Sequence, residues 1–234
     1  MSAPAISPVA RNSTEVAGEG ALVLFEDEQL LAVRKPAGMP TQPDRTGDPS
    51  LLEILSRDRG SPVFLVHRID RPVSGVVLFA KTNEVLAACH QLFREREVEK
   101  IYWAIVTGTV SAAARWQHRI EADPRARKSR VVEGDAGKLA EVRVRSLAVG
   151  DRYTLVELVP EGGAFHQLRA QCAAAGHPIK SDVKYGARRG ERDRSIALHA
   201  RAIRFVHPLT SEVIDITADP PTTPPWPDLI ARMR

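Results

Sequence analysis

At 234 residues the chain is long enough for one good core, or for two small lobes sharing one, while its two cysteines, Cys89 and Cys172, make neither a disulfide framework nor a paired-thiol zinc signature. No apolar run reaches the length of a membrane span, and Met1 to Gly20 is small, polar and broken by Pro4 and Pro8, without the apolar core of a signal peptide. Secreted disulfide scaffolds and membrane proteins are thereby excluded in favour of a soluble chain in a reducing, cytoplasmic setting, and the net charge of +4 (33 Lys and Arg against 29 Asp and Glu) is only modestly basic.

Residues 1–20 are expected to be a disordered tail. Leu22 to Phe25 and Leu30 to Val33 then read as two strands around the acidic turn Glu26-Asp27-Glu28, and Lys35-Pro36-Ala37-Gly38 forces a loop. Asp48 followed by Pro49 predicts an N-cap and first-turn proline for a short helix to about Arg57, burying Leu51, Leu52 and Leu55. Gly75 to Lys81 is an apolar strand, and Asn83 is expected to cap a helix whose Val85, Leu86, Cys89, Leu92 and Phe93 recur at helical spacing. Beyond Lys100 the runs Ile101 to Thr107, Val142 to Leu147, Tyr153 to Val159, Ile196 to Phe205 and Val213 to Ile216 are β-rich. One helix, about His166 to Ala175, interrupts them and stops at Gly176 with Pro178 just beyond. Such a sequence predicts an α+β fold, a largely antiparallel mixed sheet with flanking helices, occupying residues 21–219. Residues 220–234 form a Pro-rich extension with room for a short helix at Asp228 to Met233.

Polar residues interrupt this apolar pattern at three places. In His67-Arg68-Ile69-Asp70-Arg71, at a strand entrance, a carboxylate lies between two arginines that favour its charged form, suiting it to act as nucleophile or base; a loop salt bridge would look the same. Lys100 and Tyr102 share one face of a strand and Ile101 the other, so a basic group stands beside a phenol, either to orient a proton carrier or simply to pack. His166 and Arg169, three apart, share a helix face near its N-terminus, where Arg169 either pairs with a buried carboxylate or lies exposed. A fourth feature is basic: Arg115, Arg119, Arg125, Arg127, Lys128 and Arg130 face only Glu121 and Asp123, a stripe that either holds phosphates by counterion release or is a solvated surface.

In this order the segments closely resemble the RluA-type pseudouridine synthase family. Its first motif is matched by His67, Arg68, Ile69 and Asp70 with Ser74 and Gly75, its Lys-x-Tyr motif by Lys100 and Tyr102, and its His-Gln-x-Arg motif by His166, Gln167 and Arg169. Matches at Gly176 to Ile179, Asp182 and Tyr185-Gly186 follow, and the likeness runs from about Phe25 to His207. The family usually has Thr where Val73 stands and Arg-Thr where Ala164-Phe165 stand.

This resemblance implies a pseudouridine synthase catalytic domain that isomerises a uridine in ribosomal or transfer RNA. Asp70 is then the catalytic carboxylate, Arg169 pairs with it and keeps it ionised, and Tyr102 stacks on the base and helps remove the C5 proton. Arg68 fills the space the flipped uridine vacates, and His67, Lys100, His166, Gln167, Arg127 and Lys128 are the further RNA contacts. No cofactor and no metal is implied, and the expected partner is RNA, bound by a monomer. A nucleoside or glycoside hydrolase is disfavoured because no second carboxylate recurs beside these motifs. A non-catalytic RNA-binding module would not need Asp70, Tyr102 and Arg169 together, and His67, His90, His166 and His177 lack metal-ligand spacing.

Overall fold

The computed structural model describes residues 16–17, 20–110 and 113–233, and the chain divides into two compact units, Met1–Lys100 with Arg201–Asp219 and Ile101–Ala200 with Pro220–Arg234. In the first unit the chain forms β1 (Val16–Ala17), β2 (Ala21–Glu26), β3 (Leu30–Lys35), α1 (Leu51–Arg59), β4 (Phe64–Leu65), β5 (Ser74–Ala80) and α2 (Asn83–Glu95). It then enters β6 (Glu99–Thr107), followed by β7 (Ala114–Asp123), β8 (Lys128–Val132), β9 (Lys138–Val149), β10 (Tyr153–Pro160), α3 (Gln167–Ala174) and a 3-10 turn at Val183–Tyr185. After β11 (Leu198–Val206) and β12 (Val213–Thr217), α4 (Trp226–Ile230) closes the chain. No helix among the described residues is long and apolar enough to cross a membrane.

The α+β class holds, and the following pairings within each unit are antiparallel. In the first, β1 pairs with β2, β2 with β3, β3 with β5, β4 with β5 and β11 with β12. Every residue of β5 is buried, because Val76, Leu78 and Ala80 pack with Phe25, Leu30, Ala32 and the α2 residues Val85 and Cys89 while Val77 and Phe79 are covered from the other side. In the second, β10 pairs with β6 and β9, and β7 with β9 and β8.

Several boundaries differ from expectation for local reasons. The cap of α1 is Ser50, not Asp48: its hydroxyl accepts from the Glu53 amide while the Glu53 carboxylate accepts from the Ser50 amide, a capping box that outcompetes a lone Asp. Asp48 pairs instead with Arg71. Ile54 rather than Leu52 joins Leu51 and Leu55 on the buried face of α1. Thr82 caps α2, its hydroxyl accepting from the Val85 amide at 3.3 Å, and Asn83 is the first helical residue. Val16–Ala17 pair with β2 inside the stretch read as a tail; residues 1–15, 18 and 19 lie outside the described residues. Residues 220–233 belong to the second unit, where Trp226 and Leu229, both buried, pack α4 onto β9 and β10. The basic stripe folds as the hairpin β7–β8, which the sequence reading leaves out.

Candidate active site

Asp70 and Arg68 lie in the loop between β4 and β5, and Lys100 on β6, within the first unit. Tyr102, Arg127, Lys128, His166, Gln167 and Arg169 belong to the second.

The Asp70 loop is held by its main chain. Thr41 Oγ1 donates to the Ile69 carbonyl at 2.8 Å, the Gly38 amide donates to the Arg71 carbonyl at 2.8 Å, and Arg71 Nε returns a bond to the Gly38 carbonyl at 2.7 Å. The Val73 amide donates to the Asp70 carbonyl at 3.0 Å, closing a turn directly after the carboxylate. Beneath these lies Lys35, wholly buried, whose ammonium donates to the carbonyls of Pro36 and Met39 at 2.8 Å and of Arg71 at 3.2 Å. Three carbonyls match the three donors of an ammonium. Burial pushes the Lys35 pKa down to about 7, the negative charge of Asp70 works against that shift, and the nearby Arg71 adds to it. Lys35 therefore sits within electrostatic reach of Asp70, and the sequence signal for it is slight: a lysine ending an otherwise apolar strand before a proline.

Arg68 is exposed, Ile69 is buried and Asp70 is partly buried, so the alternation expected of an extended approach is present. His67 is committed to the fold: its Nε2 accepts from the Leu78 amide at 3.2 Å and its ring stacks on Phe93 with centroids 5.4 Å apart. Lys100 Nζ lies 5.8 Å from the same Phe93 ring. Burial first and the Lys100 charge second hold the His67 pKa down at about 3, so the imidazole is neutral.

In the second unit Arg169 meets a buried carboxylate, one of the two alternatives the sequence left open. Its Nε and Nη2 donate to Asp182 Oδ2 and Oδ1 at 2.7 and 2.8 Å, a bidentate pair in which both side chains are almost wholly buried. Arg169 Nη1 donates to His166 Nε2 at 3.0 Å; a guanidinium only donates, so Nε2 is the acceptor and Nδ1 carries the proton. That Nδ1 stands 2.9 Å from the Tyr185 hydroxyl, which also accepts from the Ser129 amide at 2.7 Å, and Arg169 lies 5.0 Å over the Tyr185 ring. Asp182 and Tyr185 thus join His166 and Arg169 in one hydrogen-bonded cluster, a grouping that three-residue spacing on a helix does not reveal.

Gln167 is buried with both ends of its amide in use, Oε1 accepting from the Ala164 amide at 3.2 Å and Nε2 donating to the Glu141 carbonyl at 3.1 Å. Tyr102 stands on β6 opposite Leu158 of β10, partly buried. Arg127 closes the β7–β8 turn with φ at 48°, and its carbonyl accepts from Lys184 Nζ at 2.6 Å; Lys128 Nζ lies 5.8 Å over the Tyr185 ring. Much of the arginine stripe is paired, Arg115 with Glu141 and Glu161 and Arg130 with Glu121. Among the described residues no three His, Cys, Asp or Glu side chains gather as metal ligands.

The sequence model of a family described as RNA pseudouridylate synthase matches residues 29–174. The chain is 34% identical to a tRNA pseudouridine synthase C of Vibrio parahaemolyticus, over 90% of this chain and 94% of that one. It is 33% identical to a ribosomal large subunit pseudouridine synthase C of Escherichia coli, over 92% of this chain and 70% of that one. Among solved structures, human RNA Pseudouridylate Synthase Domain Containing 1 superimposes with a TM-score of 0.74 at 26% identity, covering 92% of this chain and 88% of that one.

Proposed function

This chain belongs to the RNA pseudouridylate synthase family, of the RluA type, and from that premise we propose that Asp70 is the carboxylate that meets C1′ of a flipped-out uridine. The enzyme is an RNA pseudouridine synthase, an isomerase. The N1–C1′ bond of the uridine breaks, the uracil turns, C5 joins C1′, and the C5 proton moves to N1, so no atom is gained or lost. Holding the detached base requires a dry pocket and a preset carboxylate.

The observation that carries the reading is the staking of the Asp70 loop. The Gly38 amide, the Thr41 hydroxyl and the buried Lys35 ammonium bond to the carbonyls of Ile69 and Arg71 and so fix the loop on both sides of the carboxylate. Tyr102 stacks on the base and helps remove the C5 proton, and Arg169 takes the role of the family arginine that accompanies the catalytic carboxylate. Arg68, exposed beside Asp70, enters the space the base leaves. Lys100, Arg127 and Lys128 complete the RNA-facing set, while His67, His166 and Gln167, whose polar atoms are bonded within the fold, support it from behind. The RNA is ribosomal or transfer RNA, the two classes named for the relatives. The enzyme works as a monomer in the cytoplasm, a setting that its two buried free cysteines suit.

The test is tritium release from C5-labelled uridine in RNA extracted from cells lacking the gene. Asp70→Asn is expected to abolish release while RNA affinity stays within about twofold, because the exchange keeps the shape and removes the anion. Release by this variant at near the wild-type rate overturns the assignment.

A further inference from the structure

Behind strand β8 the second unit carries a pocket of about 310 Å³ that the reaction above does not use. Ala173 and Ala174 of α3 form an apolar floor, Lys128, Arg130 and Lys184 stand around it, and Tyr185 forms one wall; no carboxylate lines it. The acidic side chain nearest in the hydrogen-bond pattern, Glu121, accepts from Arg130 across the hairpin at 2.7 Å. Three cations around a small-residue floor concentrate positive potential in a concave space, the physical requirement for holding a phosphate.

Beside this pocket lies Phe165, 42% exposed. Its ring stacks on His166 with centroids 3.9 Å apart and an interplanar angle of 25°. Its carbonyl accepts from the hydroxyl of Ser129, itself a pocket-lining residue, and His166 reaches the pocket wall through the Tyr185 hydroxyl. The ring is therefore backed by a second ring and tied to the pocket from two sides. An exposed aromatic held rigid next to clustered cations is the arrangement that binds single-stranded nucleic acid, bases stacking on the ring and backbone phosphates meeting the charges.

We propose that Phe165 and the Lys128–Arg130–Lys184 pocket form a nucleotide subsite, in which an unpaired base of the bound RNA stacks on Phe165 and its neighbouring phosphate enters the pocket. The proposal rests on the RNA pseudouridine synthase reading and adds to it a second anchor, in the unit that does not carry Asp70. It separates two contributions: the ring recognises a base, and the pocket recognises the backbone.

The experiment measures binding without turnover, by fluorescence anisotropy, on a labelled 12-nucleotide single-stranded RNA of random sequence and on an abasic ribose-phosphate chain of the same length. Wild type is expected to bind the RNA the tighter of the two. Phe165→Ala and the size-conserving Phe165→Leu weaken the RNA about tenfold and leave the abasic chain within about twofold, and Phe165→Trp binds as wild type. Ala174→Glu, on the solvent side of α3, places an anion in the pocket and weakens both chains about tenfold with a shallower salt dependence, while the neutral Ala174→Gln stays within about twofold on both. Thermal melts of wild type and all five variants accompany the titrations, and Phe165→Leu decides the ring's part if Phe165→Ala melts early. Equal binding of the two chains by wild type, no loss in Phe165→Leu, or no loss in Ala174→Glu overturns the subsite. Its failure is read in binding and failure of the isomerase reading in tritium release, so the two are distinguished.

Discussion

The Asp70 loop and the Arg169 cluster hold their charged groups by opposite means. Around Asp70 the acceptors are main-chain carbonyls of the loops at 36–41 and 69–73, reached by amides and by the side chains of Thr41, Arg71 and the buried Lys35, which supplies three of the bonds. Around Arg169 the bonds run through side chains, from Asp182 to Arg169 to His166 to Tyr185, and reach the main chain at Ser129. Staking through main-chain carbonyls sets where a loop lies and is shared among several donors, of which Lys35 supplies the most. A side-chain relay sets which way one guanidinium points and fails when any member is removed.

The contrast is broken most severely at Asp182. Asp182→Ala leaves a buried guanidinium without its bidentate partner and is expected to destabilise the protein by about 3–5 kcal/mol, read as a lowered denaturant midpoint at unchanged slope. Asp182→Asn keeps the shape, and its smaller cost should appear as a fall in kcat for tritium release greater than any rise in KM. Unchanged stability in Asp182→Ala would show that the relay holds Arg169 without its carboxylate.

In the first unit the corresponding break is Lys35. Its folded pKa of about 7 lies below the ordinary lysine value of 10.5, so between these values the unfolded chain binds the extra proton and stability rises with pH. From pH 7 to pH 9 wild type is expected to gain about 2 kcal/mol relative to Lys35→Met, measured by denaturant titration at each pH. A parallel pH dependence in the two proteins would refute the lowered pKa of Lys35.

His67 gives the matching effect on the acid side. Its folded pKa of about 3 lies below the ordinary 6.5, so the unfolded chain binds more protons across that window and stability falls as pH drops through it. Relative to His67→Gln, wild type should lose about 2 kcal/mol between pH 7 and pH 5. The smallest stability effect is expected at Arg68, where the side chain is exposed: Arg68→Ala changes stability by less than about 0.5 kcal/mol. It should nevertheless slow single-turnover isomerisation far more on a structured stem-loop than on a short RNA whose uridine is already unstacked. Equal slowing on both, with a lower melting temperature, would make Arg68 a brace of the fold.

The sequence by itself determined the elements whose signals are local. The hairpin of β2 and β3, the apolar run of β5, the periodic α2 and the stop of α3 before Gly176 were readable because alternation, helical spacing and chain-reversing residues act within a few positions. The order of the motifs around Asp70, Lys100, Tyr102, His166 and Arg169 was equally legible, and with it the family. Tertiary structure alone decided what those residues touch. Arg169 finds Asp182 thirteen residues away, and Thr41 reaches Ile69 across twenty-eight. No short-range pattern encodes such contacts, since they depend on where distant loops close. Lys35 was invisible for the same reason: a lysine at a strand end is ordinarily solvated, and only the closure of Pro36, Met39 and Arg71 over it makes it a buried ammonium. The β7–β8 hairpin was hidden by its arginines, which read as a charge stripe until Glu121, Glu141 and Glu161 are seen to pair with them across strands. In the C-terminal Pro-rich segment, Trp226 and Leu229 carried the packing signal, and only β9 and β10 show which surface they cover.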